Sequence, residues 1–217
     1  MRNRLAGMDS RSTWKIPWAA LLTFTVLSLT SVAADFVHSA SGLKFPASIE
    51  GRFQRVDVTE DGKRCSMTYA GRSGFAVAVV VHPAQPGVSG PTKLDGDDRS
   101  AASASFLNAL NKRVGLLGEG LKGAEVVSQQ RFQAKPSVGP VGMKTTVRGK
   151  LEGRTTNREL LLFERNGYFV EITTSCAGED WLKTGLIYTD VAHFIGWPKV
   201  EQRPQPVSLH NGKGQFK

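Results

Sequence analysis

The sequence predicts an α+β fold: a largely antiparallel sheet of about six to seven strands with two main helices packed on it. Three observations carry this. Asp61-Gly62 and Asn166-Gly167 each sit between alternating apolar runs, the pattern of a tight β-hairpin. Phe75 to His82 (FAVAVVVH) is a continuous run of small and β-branched residues, as expected of a central strand buried on both faces. Two later segments carry apolar residues at helical spacing instead.

In chain order, Leu43-Lys44-Phe45-Pro46 is a short extended start, kept out of helix by the proline. Phe53 to Glu60 alternates, with Phe53, Val56 and Val58 apolar, and Arg64 to Ala70 is its return strand. Gly71 to Gly74 is a turn, followed by the strand from Phe75 to His82. Residues 83–97 are a Pro/Gly loop. The first helix starts at Asp97 or Asp98, either of which can cap it. It carries Ala101, Ala102, Phe106, Leu107, Leu110 and Val114 and runs out between Gly115 and Gly123. Strands follow at Ala124 to Ala134 and Met143 to Leu151, separated by a loop at Pro136 to Pro140. Glu152 to Asn157 is a turn. Arg158 to Arg165 and Tyr168 to Ser175 form the second hairpin. The last helix starts near Glu179-Asp180, carries Trp181, Leu182, Leu186, Ile187, Val191, Phe194 and Ile195, and ends before Pro198.

The first 34 residues have the order of a secretory signal peptide. Arg2, Arg4, Arg11 and Lys15 precede a 14-residue apolar run, Ile16 to Leu29, and Ser31-Val32-Ala33-Ala34 closes it with small residues. A membrane-spanning helix needs about 20 apolar residues, so cleavage is expected, after Ala34 or after Ala33; an uncleaved amphipathic anchor is the alternative. The domain plan is a signal peptide at 1–34, one globular domain at 35–198 and a polar tail at 199–217. Localisation is then periplasmic or secreted, with no stable membrane span after cleavage.

The chain has 28 basic and 19 acidic residues. Residues 1–34 hold four and one of these, leaving 24 and 18, a net of +6. The charges are scattered rather than clustered and aromatics are not interleaved with them, so nucleic acid is not an expected partner. The two cysteines, Cys65 and Cys176, lie in an exported chain, where one disulfide is expected. A two-residue turn at Asp61-Gly62 would set Cys65 opposite Val58 and Met67 opposite Val56. The turn at Asn166-Gly167 sets Phe163 opposite Val170 and Leu161 opposite Ile172. Both cysteines then face a core. A bond needs Cα atoms about 4.4–6.8 Å apart, so their strands should be neighbours, or Cys176 should meet Cys65 at the strand-to-helix corner. Two buried free thiols are the alternative.

No catalytic, cofactor or metal motif is found. His38 and His210 are expected to be solvated, His82 ends the central strand, and His193 lies in the last helix; none has a paired His or Cys at ligand spacing. Gly118 to Gly123 spells GxGxxG, but a helix precedes it and a strand follows, the reverse of a dinucleotide site. It reads as a helix-ending loop. Asp97-Asp98 and Glu179-Asp180 are explained by capping. Gly71-Arg72-Ser73-Gly74 lacks the glycine a nucleophile elbow needs.

Gly42-Leu43-Lys44-Phe45-Pro46, Ile49, Gly51-Arg52-Phe53 and Arg55, with the order hairpin, apolar strand, Pro/Gly loop, helix, strands, and a final hairpin leading into Trp181, resemble exported bacterial proteins with the PsbP-like (Mog-PsbP) α/β/α sandwich. The resemblance covers residues 42–198. It implies an antiparallel sheet with helices on it, and a binding or assembly role more often than catalysis; it carries over no site residue. The expected function is therefore a non-enzymatic envelope protein that binds a protein partner or stabilises an assembly. The alternatives are a small-molecule or lipid carrier, with a pocket between sheet and helix lined by Phe106, Leu110 and Trp181, and an enzyme in which His82 or His193 sits beside a carboxylate.

Overall fold

The computed structural model describes residues 34–71, 75–92, 102–136, 139–178 and 189–199. Ten strands are found among them: β1 (Phe36–His38), β2 (Leu43–Phe45), β3 (Ser48–Ile49), β4 (Phe53–Asp61), β5 (Arg64–Gly71), β6 (Ala76–Pro83), β7 (Lys122–Gln133), β8 (Val141–Leu151), β9 (Arg154–Arg165) and β10 (Tyr168–Ala177). Helix α1 is Ala104–Gly118, and residues 189–194 are helical. The main sheet is fully antiparallel, in the order β3-β4-β5-β6-β10-β9-β8-β7. It is two meanders joined edge to edge where β6 meets β10, with α1 in the connection between them. β1 and β2 form a separate pair.

Three hairpins set the register. Asn166 and Gly167 both have positive φ (51° and 80°), the twist a two-residue type I′ turn needs, and Arg165 pairs with Tyr168 as the sequence predicts. The first hairpin differs from expectation. Only Gly62 has positive φ there (57°), so the turn is centred on Gly62-Lys63 and Asp61 pairs with Arg64. Val58 therefore faces Met67 and Glu60 faces Cys65, a slip of two residues, which leaves Val58, Met67 and Cys65 on their predicted face because the strand period is two. Val56 falls in a bulge between Arg55 and Asp57 and is exposed. The third hairpin corrects the predicted turn at Glu152 to Asn157: Glu152 and Gly153 alone turn the chain (φ 51° and 80°), and β9 begins at Arg154.

Pairing parity divides the sheet into two faces. Val77, Val79, Val81, Met67, Tyr69, Val170, Ile172, Leu161 and Phe163 share one face, in one apolar cluster with Leu43, Phe45, Val191, Ala192 and Ile195. Leu160, Leu162, Phe169 and Val147 lie on the other, packed against Phe106, Leu110 and Leu117 of α1. The result is a three-layer sandwich. β6 is central, as predicted, but only its Val77/Val79/Val81 face is fully buried; the other face is half-buried.

The cap of α1 also differs from expectation. Ser103 Oγ accepts from Phe106 N (3.2 Å) and from Ser89 N (3.0 Å), so a serine beside the first turn caps the helix and ties the loop to it. Asp97 and Asp98 lie outside the described residues. The helix ends at Gly118, with Gly120 at φ 75°, as the glycine loop predicts. Beneath it, buried Arg158 of β9 donates from Nη1 to the carbonyls of Leu117 (2.9 Å) and Glu119 (2.7 Å).

Residues 34–46 and 191–199 are tied into the sheet and, at one point, to each other. Lys44 and Gly196 exchange backbone hydrogen bonds (3.1 and 2.8 Å). Arg55 Nη1 donates to Phe45 O (2.6 Å) and Nη2 to Ala34 O (2.5 Å), and Tyr69 Oη donates to Pro46 O (2.8 Å). The segment after the helix is pinned by Arg165 Nε to Pro198 O (2.8 Å) and by Trp197 Nε1 to Ala192 O (2.9 Å).

The expected disulfide is not formed. Cys65 and Cys176 are both buried free thiols on the same face. Cys65 is level with Val81 of β6, whereas Thr174 is level with Val77, so Cys176 is level with residue 75. Six residues of strand separate them, about 20 Å, far beyond disulfide reach. Burial, helped by the Glu60 carboxylate, pushes the Cys65 thiol up to about 12.

Candidate functional site at the β7 edge

β7 closes one side of the sheet, so among the described residues its outer backbone N–H and C=O groups have no strand beside them. Lys122 to Gln130 are all exposed, nine consecutive residues. The opposite edge, β3, is only two residues long. Two bulges bend β7, between Lys122 and Glu125 and between Val126 and Ser128. The second leaves Val127 without a partner on β8. Val126 is 52% exposed and Val127 40%, and Leu116 of α1 and Leu151 of β8 add further exposed apolar surface.

A depression flanks β7 on each face. On the α1 face, Val114, Gly115, Gly118, Ala124, Val126 and Val147 line a groove of about 460 Å³. It exists because Gly118 lets the helix end approach Ala124; a Cβ there would sit 3.3 Å from the Ala124 Cβ. On the other face, Lys122, Glu125, Arg148, Lys150 and Thr155 surround a depression of about 410 Å³. Lys122 lies directly opposite Lys150, and Lys150 opposite Thr155, so three strands contribute one row. Arg148, in the next row, donates from Nε to Asn157 Oδ1 (3.0 Å).

The histidines fall in three different settings. His38 was expected to be solvated but is fully buried: its Nδ1 is 2.7 Å from Ser41 Oγ, its ring packs edge-on to Tyr168, and its Nε2 is 4.0 Å from Glu60 Oε1. Burial lowers its pKa, partly offset by Glu60. His193 stacks on Phe132 with ring centroids 5.8 Å apart. His82 does sit beside a carboxylate. Its Nε2–H donates to Glu171 Oε1, which also accepts from Arg113 Nε (2.7 Å). Arg113 Nη2 lies 3.2 Å from His82 Nε2. The trio ties α1 to β6 and β10. It lines neither depression, and the imidazole nitrogen a general base would offer is committed to Glu171. Its other nitrogen, Nδ1, is 3.3 Å from Pro83 O.

The pocket expected between sheet and helix is filled. Phe106 and Leu110 are 0% and 1% exposed, with the Phe106 ring against Phe169 at 6.0 Å. Trp181, Glu179 and Asp180 lie outside the described residues, as does His210. Ala34 is the first described residue. Among the described residues, no group of three or more His, Cys, Asp and Glu is placed to hold a metal, and no helix is long and apolar enough to cross a membrane.

No family model matches the chain, and no curated protein matches it significantly. Among solved structures the chain is similar to cyanobacterial PsbP from Synechocystis sp. PCC 6803, at 13% identity and a TM-score of 0.46, over 82% of this chain and 99% of that one.

Proposed function

We propose that this protein is a non-enzymatic module of the cell envelope that binds a protein partner by accepting an extended segment along β7. The observation that carries the reading is the run of nine consecutive exposed residues along the β7 edge. Strand addition uses main-chain hydrogen bonds for affinity and alternate side chains for specificity. On β7 the alternate side chains of an added strand would meet the apolar groove beside Val126 on one face. The exposed Val126 and Val127 supply apolar contact at the centre. The two bulges in the first half of β7, with Lys122 and Glu125 beside them, limit pairing to a short stretch, which keeps the edge from nucleating aggregates.

The address belongs to the same reading. The charged, apolar and small-residue order of residues 1–34 supports export, with cleavage after Ala33 or Ala34 leaving one domain and a polar tail at 199–217. No cofactor enters the reading.

The test is site-specific photocrosslinking in the native cells. A photoreactive residue at Val127 or Gln129 should capture one partner in stoichiometric yield. One at Thr59 of β4 should not. Equal capture at the two places, or none at β7, would overturn the assignment.

A further inference from the structure

We propose that the depression formed by Lys122, Arg148, Lys150 and Thr155 binds a tetrahedral oxyanion of the phosphate class. The proposal goes beyond the reading of β7 as a docking edge and stands without it.

The argument begins with a local cost. Lys122 and Lys150 are directly opposite each other on neighbouring antiparallel strands, where like charges are destabilising. Neither ammonium makes a hydrogen bond or ion pair among the described residues. Their approach is also enforced. Gly149, between Arg148 and Lys150, has room for no side chain, since a Cβ there would come within 2.7 Å of the Leu121 Cβ. Leu121 is buried against this gap, and that packing brings Lys122 down beside β8. The bulge between Lys122 and Glu125 then turns the strand start toward the depression.

The other groups complete an anion cradle. Arg148 presents a guanidinium oriented by Asn157, a fork suited to paired oxygens. Thr155 adds a hydroxyl across from Lys150. Glu125 is the one carboxylate in the lining. Three cations against one anion leave a local charge of +2, matching a dianion such as hydrogen phosphate better than a single carboxylate. The volume of about 410 Å³ admits the group and leaves the depression open to a larger molecule bearing it. A free phosphate and a phospholipid headgroup share this chemistry.

The probe is inorganic phosphate, titrated into ¹⁵N-labelled protein at constant ionic strength, with chloride and acetate as controls. The expected result is saturable shifts of the Gly123, Gly149 and Thr155 amides with phosphate alone, weakened at least tenfold in Lys122→Gln/Lys150→Gln. Both lysines are exposed, so the variant should fold; its urea midpoint checks this. Cosedimentation with phosphatidylglycerol vesicles separates the sources: binding lost in the double variant points to a lipid headgroup, and phosphate binding without vesicle binding points to the free ion. Linear shifts, equal shifts with acetate, or saturable shifts that survive in the variant would overturn the proposal. Photocrosslinking at Val127 is independent of these lysines, so failure of one idea leaves the other legible.

Discussion

Replacing Arg158 by methionine removes the guanidinium that holds the end of α1 to the sheet while keeping most of the aliphatic stem. Arg158 is 3% exposed and bridges two carbonyls at the helix C-terminus, Leu117 O at 2.9 Å and Glu119 O at 2.7 Å. Hydrogen bonds from a charged donor contribute about 1.5–3 kcal/mol each, and a cation at a helix C-terminus adds about 0.3–1 kcal/mol. Leu117 is buried, so its carbonyl loses its partner without gaining water, a cost of about 1–3 kcal/mol. Glu119 is exposed and its carbonyl can be rehydrated. Against these losses stands relief of the desolvated charge, which is why burial lowers the Arg158 pKa. The balance is a destabilisation of about 2–4 kcal/mol. For a domain of this size the middle of that range lowers the melting temperature by about 6–12 °C. Urea titration followed by far-ultraviolet circular dichroism measures the change. Amide exchange localises it, and protection should fall first at residues 115–118. Arg158→Lys should be intermediate, because one ammonium cannot reach both carbonyls with the same fork. A methionine variant within about 0.5 kcal/mol of the parent, the usual range for a substitution that touches nothing, would refute the reasoning.

Other consequences can be checked in the same way. Because burial lowers the His38 pKa below its ordinary 6.5, the unfolded chain takes up the proton first. Stability is then full above pH 6.5 and falls as pH drops below it, and His38→Asn should flatten that slope in urea midpoints measured on either side of pH 6.5. Neither thiol should react with a disulfide reagent in the native state, and both should react in urea; a reductant should leave the urea midpoint unchanged, whereas an intact mass showing two oxidised thiols would contradict the free-thiol structure. Gly142→Ala should lower stability by about 1–3 kcal/mol by overpacking, since a Cβ there would overlap Leu162 O and the Phe163 ring; an unchanged melting temperature would show that β8 and β9 can part.

Local chemistry was legible wherever one residue type could do the job. Asn166-Gly167 named its turn because both positions need positive φ and both residues tolerate it. Asp61-Gly62 misled by one position, because a glycine can also take the first corner of a type II′ turn. The turn at Glu152 to Asn157 reads four residues too long because glutamate seldom adopts positive φ, so Glu152-Gly153 does not announce a two-residue turn. Parity put both cysteines on a core face, yet parity is blind to distance along the strand. What separates them is the β6–β10 seam, a pairing between residues 85 to 97 positions apart that no local signal encodes. The edge position of β7 was hidden for the same reason: alternation tells which way side chains point, not which strands are neighbours. Nearness to the expected cleavage site puts His38 in solvent on a sequence reading, but a strand pair closing over Tyr168 encloses it. His82 shows the reverse case, since Arg113 and Glu171 reach it from α1 and β10.

The Lys44–Gly196 clasp sets the order in which the molecule can be finished. A chain made from its N-terminus completes the first meander by Pro83, with the apolar faces of β5 and β6 still uncovered. The cover, Val191, Ala192 and Ile195, arrives more than a hundred residues later, and the β2 lock waits on Gly196 itself. Non-local closure of this kind is slow and leaves exposed apolar surface meanwhile. A chain that cannot close its core until residues 191–196 emerge stays incompletely folded throughout the synthesis of both meanders. Any helper that shields it during that interval should recognise the valine-rich face of β6, and should lose its grip when Val191, Ala192 and Ile195 dock.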